Sequence, residues 1–323
     1  MRIRPRLVRT VTVKQQFDDL GFGTKIGSEG ARLINRDGTF NIERKGRRAW
    51  TPYQSLVEMS WMRFLLLVLG FFIAVNFFFA LLFFWAGTEY MSGIDDDPWW
   101  LGFLNCFFFS VQTFTTVGYG AISPTHITTN AIASFDALVG LISLALATGL
   151  FFARFSKPTA QIVFSKHGII APYQDGLSFQ FRIANRRNNK IIDLEAKVTM
   201  AWTEWIDGEK RRRFAALPLE RDKIFMFPLN WTLVHPIDIN SPLYGKSEED
   251  FRKSHAEFLV LIEGHDETFA QTVHTISSYT WEEVVWGVRF DRMYYPDQTG
   301  RTVLWLDKID KISAVEGLFE EEE

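Results

Sequence analysis

The chain has 323 residues and a formal net charge of −3, with a mean hydropathy of −0.01, values that by themselves describe an ordinary soluble protein of two domains. Its single cysteine, Cys106, excludes an intrachain disulfide. The average conceals a segregated sequence, because much of the apolar content is gathered into two long runs.

Residues 1–50 are polar and read as a cytoplasmic N-terminal arm. Their one conspicuous motif, Gly21-Phe22-Gly23-Thr24-Lys25-Ile26-Gly27, follows no strand and has the wrong glycine spacing for a dinucleotide turn, so a flexible arm is preferred to a phosphate loop. Residues 51–62 carry a mixed amphipathic face of Tyr53, Leu56, Val57, Met59, Ser60 and Trp61. They predict a short helix along the inner membrane surface, with Thr51 as N-cap and Pro52 at the first helical position.

From Phe64 to Ala86 no residue is charged and only Asn76 is strongly polar, so this segment is long enough to cross the roughly 30 Å hydrocarbon core. It begins beyond residue 60, which argues against a cleaved signal peptide. The stretch from Gly87 to His126 has no Lys or Arg but holds Glu89, Asp95, Asp96 and Asp97. The preceding segment, by contrast, carries Arg2, Arg4, Arg6, Arg9, Arg44, Lys45, Arg47, Arg48 and Arg63, so both termini are expected in the cytoplasm.

Phe103 to Thr115 is too short to span and leads directly into Thr116-Val117-Gly118-Tyr119-Gly120, which predicts a re-entrant half-helix followed by an ion filter. A desolvated K⁺ needs a cage of oxygens, and four such segments supply stacked backbone carbonyls. Alternate residues must then leave the right-handed region, which Gly118 and Gly120 do without Cβ strain. One chain supplies one segment, so the expected unit is a homotetramer in which each copy meets three identical subunits. K⁺ is the permeant ion, and no other metal or cofactor is expected.

A second apolar run, Ile127 to Phe155, contains Asp136 and, near its end, Arg154. Leu144, Thr148 and Phe152 recur every four residues along a stripe expected to line the pore, with four Phe152 rings forming a gate that closes by dewetting. Gly140 and Gly149 are candidate hinges, or residues that permit close helix packing. An isolated acid at mid-helix costs on the order of 3 kcal/mol, so Asp136 is expected to face protein and find a partner near the base of the half-helix.

The pore domain thus occupies 63–155, and residues 156–323 alternate apolar and polar positions in short runs. Phe179–Ile183, Ile192–Val198, Glu257–Ile262, Phe269–Ile276 and Val284–Phe290 are strand candidates of an antiparallel β-sandwich. Lys210 to Arg213 follow Asp207-Gly208 and read as a solvated hairpin tip, not a nucleic-acid surface. The six histidines lack paired metal spacing and no nucleophile motif is present, so the chain does not read as an enzyme. Glu320 to Glu323 read as a disordered tail.

The segment from Phe107 to Gly120, the helix exit Ala153 to Pro158, and the blocks His235-Pro236-Ile237-Asp238, Ser241-Pro242-Leu243-Tyr244, Glu257 to Gly264 and Ser277-Ser278-Tyr279 together resemble inward-rectifier potassium channels over about residues 50 to 300. The resemblance is nearest to their prokaryotic branch, KirBac. It implies a slide helix, two membrane helices and a cytoplasmic immunoglobulin-like domain that prolongs the pore, set in a plasma membrane, the inner one in a bacterium. It further implies gating at the inner-helix crossing, where Phe152 resembles the bulky closing residue, and modulation by anionic lipids through Arg154 and Lys157, with Arg47 and Arg48 contributing. Glu263 resembles an acidic position lining the cytoplasmic pore, and His265 opens the loop to Ala270 at its apical constriction. The inner-helix acid of strong rectifiers aligns with Leu144, so rectification is expected to be weak. Mg²⁺, polyamines and Ba²⁺ are the candidate blockers. The cysteine pair of animal members is absent, and their pore-helix Glu is Gln112 here. A non-conducting sensor and a transporter pore subunit are the competing readings, and flux from the purified protein alone separates them.

Overall fold

The computed structural model describes residues 16–17, 20–23, 30–46, 51–94, 98–157, 161–206 and 208–315. They divide into two compact units: Gly46–Lys157 forms one, and the chain before it joins the chain after it in the other. The first strand, β1 (Gln16–Phe17), belongs to the second unit.

The first unit is helical. Helix α1 (Pro52–Glu58) starts at Pro52, whose fixed φ suits the first helical position, but Thr51 makes no side-chain cap. Met59 and Ser60 turn to extended backbone before α2 (Trp61–Ala86). The single helix expected over 51–62 is therefore two elements. The 26 residues of α2 at about 1.5 Å each span roughly 39 Å. Its inward positions, Phe64, Asn76, Phe79, Ala80 and Phe83, fall at helical spacing, while most of the remaining side chains are exposed in the isolated chain.

A two-residue ladder of β2 (Met91–Ser92) and β3 (Ser123–Pro124) ties together the ends of the loop that contains α3 (Trp99–Phe114). The half-helix thus starts four residues earlier than expected, at the interfacial pair Trp99 and Trp100. Helix α4 (Ile127–Phe155) matches the expected span and is capped by a reciprocal pair: Thr128 N donates to His126 Nδ1 and His126 N donates to Thr129 Oγ1. The three long helices share a core of Phe79, Phe83, Cys106 and Phe109, with the Phe83 and Phe109 rings edge-on at 5.0 Å.

The second unit holds β4 (Ile162–Phe164), β5 (Gly168–Tyr173), β6 (Gly176–Asn185), β7 (Ile191–Ile206), β8 (Glu209–Ala216), β9 (Lys223–Met226), β10 (Asn230–Ile237), the short α5 (Glu248–Lys253), β11 (Glu257–Asp266), β12 (Gln271–Thr280), β13 (Val284–Trp286), β14 (Val288–Phe290), β15 (Tyr294–Pro296), β16 (Thr302–Leu304) and β17 (Ile312–Ala314). One sheet runs β1-β8-β7-β11-β12 with β9 on β7; the other runs β10-β6-β5-β13 with β4 on β6. Alternating side chains of both sheets meet in one core, where Phe179 stacks on Phe258 at 4.2 Å and Tyr279 is fully buried.

Three expectations change here. The Val284–Phe290 strand is two, because Gly287 takes φ +71° and sends β13 alongside β5 in parallel while β14 pairs with β17. Lys210 to Arg213 are not the hairpin tip; they lie within β8, opposite Trp205, Glu204, Thr203 and Trp202 of β7, with Lys210 over the Trp205 ring at 5.0 Å. The arm is not free over residues 31–42. Leu33 and Ile34 are buried, their amides donate to the Glu257 carboxylate at 2.8 and 3.3 Å, and Arg32 and Arg36 both pair with Glu283. Polar composition hid this, because the attachment is made by backbone amides and two arginines around a short apolar pair. Part of the Gly21–Gly27 motif and the Glu320–Glu323 tail lie outside the described residues.

Candidate ion-conduction site

Helix α3 ends at Phe114, and the chain then leaves helical geometry in a regular alternation: Thr116, Gly118 and Gly120 have φ of +59°, +54° and +76°. This is the predicted every-second-residue pattern, extended by a threonine held in a region that costs a β-branched side chain dearly. The amides are turned back onto the helix, with Thr116 N donating to Thr113 O at 3.0 Å and Val117 N and Gly118 N both donating to Gln112 O at 2.9 and 3.3 Å. Among the described residues no donor within the chain reaches the carbonyls of Thr116 to Gly120. Those oxygens are the groups left to bind something else.

The placement of α3 depends on one close approach. A Cβ on Gly140 would lie 2.1 Å from Phe114 O, so α4 touches the half-helix backbone at the residue where the filter begins. Gly149 has nothing among the described residues within 4 Å of its Cβ direction. The two glycines grouped as hinges are therefore unlike, and Gly140 is a packing contact.

Three polar side chains fully buried among apolar ones also join the helices. Asn76 Nδ2 donates to Phe72 O at 2.7 Å, and Ser110 Oγ donates to Asn76 Oδ1 at 3.1 Å, linking α2 to α3. Asp136 of α4 is wholly buried, as expected, with Ser110 of the half-helix as its polar neighbour, although neither carboxylate oxygen meets a donor at hydrogen-bonding geometry among the described residues. The Ser110 bond was missed in the sequence reading. Its only signal is the spacing of Gly102, Cys106, Phe109 and Ser110 on the buried face of α3.

Leu144, Thr148 and Phe152 share one exposed stripe of α4 in the isolated chain, with Phe152 73% exposed. The ring that packs against α2 is the neighbouring Phe151, 5.1 Å from Phe64. Among the four lipid-contact candidates, Arg47 and Arg48 lie outside the described residues. Among the described residues Lys157 meets only Glu58, at 3.4 Å and exposed. Arg154 is half-buried against backbone carbonyls of the α1 end.

In the β-rich unit Glu263 and His265 lie on β11, half-exposed, on either side of a register shift against β7. Glu263 stands opposite Glu195, whose carboxyl is held below the usual range by hydrogen bonds from Lys223 and then Lys197. The two recognised blocks at 235 and 241 prove to be one buried contact. Pro218 O accepts a hydrogen bond at 2.6 Å, so His235 Nδ1 carries the proton and Nε2 accepts from Ser241 Oγ at 2.7 Å. The last block, Ser277 to Tyr279, anchors the chain: Ser278 Oγ donates to Ile34 O, and Tyr279 Oη donates to Ser165 O.

Comparison with known proteins bears on both units. The family described as "Ion channel" matches residues 64–157, and "Inward rectifier potassium channel C-terminal domain" matches residues 162–319. Inward rectifier potassium channel Kirbac3.1 of Paramagnetospirillum magnetotacticum is 36% identical over 296 residues, covering 90% of this chain and 99% of that protein. The human G protein-activated inward rectifier potassium channel 2 is 27% identical over 80% of this chain and 67% of its own length. Human inward rectifier potassium channel 4 is 29% identical over 61% of this chain, which spans just under half of that protein (47%).

Proposed function

The chain belongs to the inward rectifier potassium channel family, a family of ion channels and not of enzymes, and on that premise we propose that four copies assemble around Thr116 to Gly120 into a K⁺-selective pore. The observation that carries the reading is the alternating positive φ at Thr116, Gly118 and Gly120, with the carbonyls of this segment unsatisfied among the described residues. Four such strands around an axis offer successive rings of oxygens in place of a hydration shell.

In this reading the exposed α4 stripe faces the pore, with Leu144 and Thr148 below the filter and four Phe152 rings forming the constriction. Both termini lie in the cytoplasm, as the basic residues before the first span and the acidic loop between the spans favour. Glu263 and His265 of β11 are the candidate lining of the cytoplasmic part of the pathway. Leu144 supplies no charge in the cavity, so block by Mg²⁺ and polyamines is weak, whereas Ba²⁺ blocks at the filter. Anionic lipids modulate the channel through Lys157, Arg47 and Arg48, each cation near such a surface contributing about 1 kcal/mol.

The test is ⁸⁶Rb⁺ uptake by vesicles containing the purified full-length protein alone. K⁺ and Rb⁺ pass, Na⁺ is excluded and Ba²⁺ blocks. Equal Na⁺ and K⁺ flux overturns the reading, and absent flux from an intact tetramer favours the non-conducting sensor.

A further inference from the structure

We propose that Arg154 is a latch that bolts the end of the inner helix α4 to the C-terminal turn of α1, and that it acts on the gate through this tether and not as a ligand for an anionic headgroup. The inference rests on the reading of α4 as the gating helix. Arg154 Nη1 donates to Leu56 O and, at 3.1 Å, to Val57 O; Nη2 donates to Met59 O at 2.7 Å; Nε is buried and meets no acceptor among the described residues.

These acceptors are carbonyls that a helix end leaves without intrahelical partners, in the half-negative field where a cation is favoured. Helix α1 is only 7 residues long, buries no side chain and has no basic residue in its own last turn. Arg154 supplies that cap from another helix. The guanidinium plane is also held by rings, with its carbon 4.6 Å from the Trp61 centroid and 4.4 Å from that of Phe64. Trp61 continues into Phe155 at 4.8 Å, so the start of α2 and the last turn of α4 close around the same cation.

A headgroup phosphate binding here would have to displace carbonyl acceptors and enter a corner walled by aromatic rings. Lys157 has no such commitment, because its one partner among the described residues is an exposed carboxylate at 3.4 Å. The two cations at the helix exit thus have different work: Lys157 is available to a lipid surface, and Arg154 is spent on the slide-helix end. Arg154 lies two residues beyond Phe152. With α1 bolted to α4 at this point, the end of α4 cannot swing outward without either carrying α1 or breaking the fork, so the latch restrains opening.

Arg154→Lys separates the two roles. It keeps the charge that attracts a headgroup, but a single ammonium cannot reproduce a planar fork on three carbonyls while lying between two rings. In vesicles of phosphatidylcholine alone, Arg154→Lys should raise Rb⁺ uptake by about fivefold or more per tetramer, the lower end of typical couplings between linked elements. Adding phosphatidylglycerol should then change wild type and variant by the same factor. Wild-type uptake in phosphatidylcholine, with a difference only once phosphatidylglycerol is present, overturns the latch and makes Arg154 a headgroup ligand. Should Arg154→Lys fail to assemble, Trp61→Leu, which removes one ring and leaves the arginine, must raise uptake in phosphatidylcholine; unchanged uptake overturns the proposal. Phe152→Ala is run beside them. If it raises uptake and Arg154→Lys does not, the latch alone is wrong; if Phe152→Ala has no effect, the gate reading fails and the latch falls with it.

Discussion

At Gly140 a side chain has nowhere to go, because the nearest atom to its Cβ direction is a backbone oxygen at 2.1 Å. Gly140→Ala must push α4 and α3 apart where the filter begins. Overpacking of this kind costs about 1–3 kcal/mol, and here the displacement falls on Phe114, two residues before Thr116. The variant should lose selective Rb⁺ flux or tetramer yield, whereas Gly149→Ala should keep both; size-exclusion chromatography with flux assays compares them. His235 makes a second prediction at this scale. Burial pushes its imidazole below the ordinary value of 6.5, against the smaller upward pulls of the Pro218 carbonyl and Asp238. The folded protein therefore resists a proton that the unfolded chain accepts. Stability is unaffected by this group above about pH 6.5 and falls as the pH drops from there toward the folded value. Thermal unfolding of the full-length tetramer should show wild type losing more than His235→Gln between neutral and mildly acidic pH. Equal losses would assign the acid sensitivity to other groups.

Helix α4 distributes its work by face. Phe151 and Phe152 are adjacent and opposite in role: Phe151 packs on Phe64 and Trp61, while Phe152 makes no ring contact among the described residues. Phe152→Ala should raise basal Rb⁺ uptake with K⁺ over Na⁺ selectivity intact, since a dewetted neck is widened and the filter is untouched. Phe151→Ala should instead lower thermal stability, by about 3–5 kcal/mol if the site behaves as a well-packed core. The reverse assignment of phenotypes would exchange the two faces. About two helical turns toward the filter on the same stripe, Leu144→Asp should introduce four acids into the cavity and strengthen voltage-dependent block by internal spermine. Wild-type sensitivity in patch recordings of that variant would remove Leu144 from the pore lining.

Across the whole molecule, residues 31–42 form part of the β-rich unit, held by Glu257, Ser278 and Glu283. Hydrogen bonds to a charged group contribute roughly 1.5–3 kcal/mol, so Glu257→Ala should release this segment, read as faster amide exchange at Leu33 and Ile34 with β6 and β10 still protected. The spans, the half-helix, the Gly118 and Gly120 geometry and the alternating strands were determined by the sequence alone. Each follows from local rules: the length of an apolar run against the thickness of a bilayer, the period of a strand, the missing Cβ of glycine. Tertiary structure alone decided that Gly140 is a contact, that Ser110 is the polar neighbour of Asp136, that Ser110 bonds Asn76, and that Arg154 caps α1. These depend on which residue of another element arrives opposite, up to 98 positions away for Arg154 and Leu56. Neither periodicity nor composition encodes that distance, since a guanidinium at a helix exit has the same sequence signature whether it meets phosphate or carbonyl.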